Sequence, residues 1–206
     1  MNSSFGGGNV TTISQSGGVN GNNATVNRLA AAGNTTSITQ TTAGNNATVN
    51  QWFEFGDNAT ITQQYGFGNG ASITQTAAFN TASITQSSSA GSTASITKGS
   101  ADNQAYVTQL AASGSTATVN QSGDTGNYAN ASQTGADDVM SLSQAGGFNL
   151  INASQVSGTG NQGYVTQIGY NNNATLVQQG NANYASISQN GLYNTASIKQ
   201  HRAPPV

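Results

Sequence analysis

The chain has 206 residues, of which 5% are charged, with a net charge of −2, 26 glycines and no cysteine. So small a charge excludes electrostatic attraction to nucleic acid or anionic lipid, and the lack of cysteine excludes a disulfide framework and thiol catalysis. So polar and low-complexity a composition would by itself favour disorder. A strict internal repeat outweighs that interpretation, because a disordered segment needs no register.

A seven-residue phrase of the form Asn-x-Ala-x-Ile-x-Gln occurs 17 times. Neighbouring copies are 11 or 12 residues apart, with a single spacing of 13. A short fixed period indicates a solenoid, since one unit cannot bury an apolar face alone and its neighbours must stack on it. The copies end at positions 15, 28, 40, 51, 63, 75, 86, 98, 109, 121, 133, 144, 155, 167, 178, 189 and 200.

Within the phrase, alternate positions share one character. The position two before the end is Ile, Val or Leu in 15 of the 17 copies, the position six before is Asn in 13, and the end is Gln in 15. The residues between them are mostly Thr, Ser and Asn. A period of two with β-branched residues predicts a half-buried strand. Gly- and Asn-rich stretches of about four to six residues between the copies predict corners.

Two strands and two corners take about 23 residues, so alternate strands fall into two separate parallel sheets. The sequence therefore predicts an all-β, two-sheet β-solenoid of 17 strands, two per coil, with the stacked order of a cross-β structure. We expect a short Gly/Ser-rich segment at 1–8, the solenoid at 9–200 and a tail at 201–206.

Buried amides are costly unless they are hydrogen-bonded. Identical Asn and Gln side chains stacked at the strand spacing of about 4.8 Å can bond to one another. We therefore predict structural ladders of core Asn, aliphatic and Gln residues. The predicted ladder residues are Asn34, Ile38, Gln40, Asn45, Val49, Gln51, Ile61, Gln63, Asn69, Ile73, Gln75, Asn80, Ile84, Gln86, Asn103, Val107, Gln109, Val119, Gln121, Asn161, Val165, Gln167, Asn183, Ile187, Gln189, Asn194, Ile198 and Gln200.

Arg28 and Lys98 replace Gln at the end of the phrase. Under one interpretation they are gatekeepers, whose charge in the ladder slows unwanted stacking. Under the other, each long side chain snorkels out to solvent at a corner. The sequence leaves both open.

Catalytic residues are scarce. The one histidine follows the last repeat, and the adjacent acids Asp137 and Asp138 would point to opposite faces of a strand. We expect no enzyme activity, no cofactor and no metal site. No run approaches the roughly 20 apolar residues of a membrane helix.

Repeats of this form, joined by x-Gly-x-x corners at a period of 22 to 23 residues, resemble those of the curlin family. Segments such as 64–71 and 170–175 carry the resemblance, which extends over residues 9–200. It implies a structural subunit of curli, the extracellular amyloid fibres of Gram-negative biofilms, which support matrix formation, adhesion and surface colonisation. The partners it implies are further copies of the chain, a nucleator subunit, an outer-membrane secretion channel and periplasmic chaperones.

The number of repeats and the short N-terminal Gly segment favour the major subunit, while the basic end around Lys199, His201 and Arg202 leaves the nucleator role open. We expect a secreted, cell-surface location, with the export signal absent from this sequence because no signal peptide opens it. A different class, the soluble ice-binding solenoid, is suggested by outward pairs such as Thr60 and Thr62. Outward Tyr106 and Tyr164 interrupt that array and disfavour it.

Overall fold

The computed structural model describes residues 7–17 and 20–201, together with the backbone of residues 2–4. The described residues form 18 β-strands, and they include no helix with the length and apolarity needed to cross a membrane. The strands are β1 (Asn2–Ser4), β2 (Val10–Gln15), β3 (Asn23–Leu29), β4 (Thr35–Gln40), β5 (Asn46–Trp52), β6 (Asn58–Gln64), β7 (Gly70–Gln75), β8 (Thr81–Ser87), β9 (Thr93–Lys98), β10 (Gln104–Leu110), β11 (Thr116–Gly123), β12 (Tyr128–Gln133), β13 (Val139–Gly147), β14 (Leu150–Val156), β15 (Gln162–Tyr170), β16 (Asn173–Gln179), β17 (Tyr184–Leu192) and β18 (Thr195–His201).

The odd-numbered strands form one nine-stranded parallel sheet, sheet A, and the even-numbered strands form the other, sheet B. In each sheet the spatial order follows the chain order, so every coil contributes one strand to each sheet. The predicted β-solenoid and its 17 strands are confirmed. An additional short strand, β1, precedes them.

The ends of the solenoid differ slightly from the predicted bounds. β1 lies in the segment that was expected to stay outside the solenoid, and it pairs with β3 so that Ser3 is opposite Arg28. At the other end, His201 is the last residue of β18 instead of the first residue of a tail. Residues 202–206 of the predicted tail lie outside the described residues.

The core is a set of aliphatic columns that run the length of the stack. Ile38, Ile61 and Ile84 occupy the same register position in β4, β6 and β8 and are fully buried. Ala residues two positions earlier, such as Ala59 and Ala82, form a parallel buried column. The alternation of buried and half-buried residues along these strands matches the period of two in the sequence.

Core volume is redistributed near the C-terminal third. Ala131 and Ala153 occupy the usual Ile position, while Met140 and Ile151 are large and fully buried at the usual Ala position. Gly163 takes the same Ala position in β15, where an added Cβ would lie 2.7 Å from Cδ2 of Leu176. A small residue in one sheet is therefore compensated by a larger one nearby, which keeps the core filled.

The corners bring backbones close together, and some positions admit only glycine for that reason. A Cβ added to Gly66 would lie 1.8 Å from the carbonyl oxygen of Ser89, in the next corner of the same edge. The corners also require left-handed residues, among them Phe53 at a φ of 58° and Tyr65 at 56°. Backbone hydrogen bonds continue between successive corners, such as the one that the Phe53 N–H donates to Leu29 O at 2.8 Å.

Replacing Ile84 by Ala should lower the free energy of unfolding by about 2–5 kcal/mol, because the residue is fully buried between coils above and below it. Replacing the neighbouring Thr85, whose side chain is on the outward face, by Ala should change it by less than about 0.5 kcal/mol. Equilibrium denaturation of freshly folded monomer measures both. Equal losses for the two variants would contradict the assignment of the inward face.

Candidate functional site

The Gln residues that end the even-numbered strands form one continuous ladder in sheet B. In each of the eight consecutive pairs, Nε2 of one Gln donates to Oε1 of the Gln in the next coil, over 2.7–3.0 Å. The side-chain amide nitrogen also donates to backbone carbonyl groups on the side of sheet A. Gln63 Nε2, for example, donates to Asn46 O at 3.3 Å and to Asn69 O at 3.0 Å. The ladder therefore joins successive coils and also joins the two sheets. Its members are Gln15, Gln40, Gln63, Gln86, Gln109, Gln133, Gln155, Gln178 and Gln200.

The Asn residues before the strands use both ends of the side-chain amide: Nδ2 often donates to Asn Oδ1 of a neighbouring coil, as in Asn172 to Asn149 at 3.0 Å, and Oδ1 also accepts a backbone N–H. Oδ1 of Asn34 accepts the backbone N–H of Asp57 at 2.7 Å, and Oδ1 of Asn80 accepts that of Asn103 at 3.1 Å. An oxygen is the essential group at this position, which explains why Asp57, Asp138 and Ser115 can replace Asn. Oγ of Ser115, for example, accepts the N–H of Asp138 at 3.1 Å. The sequence pattern predicted stacked amides, and this bond from side chain to backbone was missed.

The predicted ladder residues share a buried location over most of the solenoid. All of them are buried from Asn34 to Gln189. The three in the last strand pair, Asn194, Ile198 and Gln200, are exposed or half-buried because no further coil lies on them. The structure thus brings the predicted Asn, aliphatic and Gln columns together along one interior.

The Gln ladder of sheet A is interrupted at Lys98. Gln121, Gln144, Gln167 and Gln189 are joined by bonds of 2.8–3.0 Å, and Gln51 donates to Gln75 at 3.2 Å. Lys98 lies between these two runs, is fully buried, and offers no acceptor to Gln75 and no donor to Oε1 of Gln121, which has no partner.

The ammonium group of Lys98 takes over only part of a Gln side chain's role. Nζ donates to the carbonyl oxygen of Asn103 at 2.9 Å and to that of Thr81. Because Lys98 is fully buried, the interpretation that it snorkels to solvent is wrong. Burial lowers the pKa of Lys98 to about 7, against an opposing effect of Asp57.

Arg28 begins the sheet A ladder and binds several strands at once. Its Nε donates to Oε1 of Gln51 at 2.9 Å, and Nη2 donates to Val10 O at 3.0 Å and to Oγ1 of Thr36 at 2.8 Å. Nη1 donates to Oγ1 of Thr11. The guanidinium therefore links β3 and β5 of sheet A to β2 and β4 of sheet B, and it too is buried. Whether Arg28 and Lys98 act as gatekeepers stays a prediction.

Two buried carboxyl groups lie in the corner between β5 and β6. Glu54 and Asp57 are 0% and 1% exposed. Neither oxygen of Glu54 receives a hydrogen bond from a donor among the described residues, and neither does Oδ2 of Asp57. Burial, followed by the contact with Asp57, raises the pKa of Glu54 to about 11, while the charge of Arg28 opposes the rise. Sequence analysis missed the burial of Glu54 because corner residues follow no periodic pattern, whereas Asp57 lies at the Asn position of the repeated phrase.

Among the described residues, the core face of sheet B is open at both ends of the solenoid. Ile13, the core residue of β2, is 38% exposed, whereas Ile38, its neighbour in the same column, is 0% exposed. Ile198 in β18 is likewise only half-buried. An open strand edge with an exposed core face is a template for further strand pairing.

These features define a class of protein: an open-ended, parallel two-sheet β-solenoid held by amide ladders. The family model of the curlin associated repeat matches residues 169–201, a segment that includes β16, β17 and β18. The match supports a curlin-like chain, and the same phrase repeats through the preceding coils. A comparison with curated proteins found no match.

Replacing Lys98 by Gln should raise the free energy of unfolding by about 1–3 kcal/mol, because Gln75 gains an acceptor and Gln121 gains a donor. Lys199→Gln is a matched control, since it removes the same charge from an exposed, outward position; a change within about 0.5 kcal/mol is expected there. Equilibrium denaturation of the two variants and the parent protein measures both changes in the free energy of unfolding. Lower stability for Lys98→Gln would show that the ammonium group stabilises this corner better than a continuous ladder.

Proposed function

We propose that the chain is a structural subunit of an extracellular, curli-like amyloid fibre, in which copies stack end to end. The observation that carries this proposal is the match between the two open ends. The N-terminal end presents β1 in sheet A and β2 in sheet B, and the C-terminal end presents β17 in sheet A and β18 in sheet B. A second copy can therefore continue both sheets at once.

The backbone groups at these two edges are complementary. The N–H of Asn173 in β16 donates to Asn194 O, and the N–H of Val10 donates to Asn34 O, each at 2.8 Å. Since neighbouring residues of a parallel strand bond to opposite sides, Thr195, Ser197 and Lys199 direct their N–H and C=O groups toward the free edge of β18, on which no strand among the described residues lies. The odd-numbered residues of β2 do the same at the other end.

The register of the joint follows from the register inside the solenoid. β16 pairs with β18 so that Leu176 is opposite Ile198 and Gln178 is opposite Gln200. The next step in the same register places the second copy's Ile13 on Ile198 and its Gln15 on Gln200. Two partly exposed aliphatic residues would then be buried against each other, which favours association.

The side-chain ladder gives the joint a direction. Each Gln Nε2 in sheet B donates toward the C-terminal end, so that end offers a donor at Gln200 and the N-terminal end offers an acceptor at Gln15. Only a head-to-tail joint continues this order. The resulting fibre would be polar, with chemically different ends.

The resemblance to curlins and the match to the curlin associated repeat support an extracellular location, with a nucleator subunit, an outer-membrane channel and periplasmic chaperones as partners. The major-subunit role is favoured by the number of coils, while the nucleator role is the alternative. An ice-binding function is less well supported. On the outward face of sheet B, the rings of Tyr106 and Tyr128 pack with centroids 5.6 Å apart and interrupt the array of Thr and Ser.

Ser197→Pro tests the end-to-end joint. The substitution removes an N–H that faces the free edge of β18, and a proline at such an edge costs the folded monomer little. We expect this variant to fold but to form no fibres alone, as measured by thioflavin T fluorescence and electron microscopy. Because its β2 edge is intact, it should also add to one end of wild-type fibres and stop growth there at substoichiometric amounts.

Ser197→Ala is the matched control and should assemble like the wild type, since it keeps the backbone N–H. Wild-type growth kinetics for Ser197→Pro would argue against stacking through β18. Growth arrest at both ends of labelled seed fibres would argue against a polar, head-to-tail joint.

A further inference from the structure

The corner between β5 and β6 gathers most of the chain's buried charge. Glu54 and Asp57, three positions apart in this corner, are both buried and interact with each other there. Arg28 from β3 and Lys98 from β9 are the buried cations that act on them. Asp102, in the corner after β9, lies on the same edge of the solenoid but is exposed.

The two cations do not neutralise the carboxyl pair by direct contact. The hydrogen bonds of Arg28 go to Gln51, Thr11, Val10 and Thr36. Those of Lys98 go to backbone carbonyl groups. The oxygens of Glu54 and Oδ2 of Asp57 are thus buried without any donor among the described residues. Two ionised carboxylates in this arrangement would repel each other with little solvent to screen them.

One proton resolves this conflict. A protonated Glu54 can donate its O–H to Oδ2 of Asp57, which gives both groups a partner and leaves one negative charge for the nearby cations. Oδ1 of Asp57 is already used, because it accepts the backbone N–H of Asn80 at 2.6 Å. Protonation of Glu54 therefore removes the repulsion and gives Oδ2 of Asp57 a donor without disturbing the Asn column.

We propose that Glu54 and Asp57 share a proton in the folded solenoid, so that closing the surrounding coils takes up a proton from solvent and is favoured by mild acid. The inference depends on the fold alone and does not require fibre assembly. It gives the chain a proton-binding site within the stack, next to the break in the sheet A ladder.

The pH range in which this dependence appears follows from the direction of each shift. The pKa of Glu54 rises from 4.5 to about 11 on folding, so between these values the folded state holds a proton that the unfolded state has lost. Its contribution to stability is complete below pH 4.5 and is lost as pH rises. The pKa of Asp57 is also raised by burial, which acts in the same direction.

Lys98 acts in the opposite direction, but at higher pH. Its pKa falls from 10.5 to about 7 on folding, so between these values the unfolded state holds a proton that the folded state has lost. Stability from this group therefore rises with pH above 7 and offsets the loss from Glu54. The net dependence should be concentrated between about pH 4.5 and 7, where one proton changes the unfolding equilibrium about tenfold per pH unit.

The experiment measures the equilibrium constant for unfolding of the wild-type monomer, by urea denaturation at pH 5, 6 and 7 and constant ionic strength. It should rise by about tenfold per pH unit. In Glu54→Gln the rise should shrink to less than threefold over the whole range. Asp102→Asn is the matched control, because it removes one formal carboxylate from an exposed corner and should keep the wild-type slope.

If Glu54→Gln fails to fold, Asp57→Asn takes its place, since its amide can donate to Glu54. A slope as steep in that variant as in the wild type would overturn the proposal, as would a flat wild-type profile. An equal loss of slope in Asp102→Asn would also overturn it, because net charge would then explain the effect. Because the measurement uses the monomer, a failure to form fibres would count against the proposed fibre function alone and would leave the test of proton uptake intact.

A spectroscopic readout separates a shared proton from a general effect of acid. At pH 7 the infrared spectrum of the folded protein should contain a protonated-carboxyl stretching band that shifts in heavy water. The band should be absent from Glu54→Gln and present in Asp102→Asn. Its absence from the wild type would contradict protonation of Glu54.

Discussion

The whole structure depends on the requirement that each buried amide find its partner one strand spacing away. A Gln side chain inside the solenoid has no water to bind, so its N–H and C=O groups must be satisfied by the coils above and below. The bonds of 2.7–3.0 Å along sheet B show that a repeat of 22 to 25 residues meets this requirement at every step. A coil in another register would lose the amide bonds and the aliphatic column together.

The same requirement explains which substitutions the ladders tolerate. The Asn column needs an acceptor for a backbone N–H, so Asp57 and Ser115 can serve there. The Gln column needs both a donor and an acceptor, so Lys98 satisfies it only in part and leaves Oε1 of Gln121 without a partner. Arg28 is better accommodated because it lies at the start of the sheet A ladder, where a donor to Gln51 suffices. The position in the stack therefore decides what a cation does to the ladder.

The buried columns could be predicted from the sequence because core residues recur at every second position of a strand, and the strand pattern is repeated many times along the chain. Ile84 and Gln86 could be predicted as core residues for that reason. The corners have no such period, so the burial of Glu54 could not be distinguished from that of an ordinary exposed turn acid. β1 was missed because Asn2–Ser4 is only three residues long and contains no aliphatic residue. The bonds of Arg28 to β2 and β4 depend on the distance between the sheets, which sequence spacing does not report.

The scarcity of charge connects the corner pair to the open ends. A chain with 5% charged residues has little self-repulsion, so stacking is opposed mainly by the free energy of ordering each coil. Under these conditions a few buried ionisable groups have a large relative effect, because no other electrostatic contribution of similar size competes with them. The cluster of Glu54, Asp57, Arg28 and Lys98 is concentrated in the N-terminal half of the stack, which makes the closing of those coils the step most sensitive to pH. Coils after β9 contain fewer buried ionisable groups among the described residues, with Asp138 the principal one, and their order depends mainly on amide and aliphatic stacking.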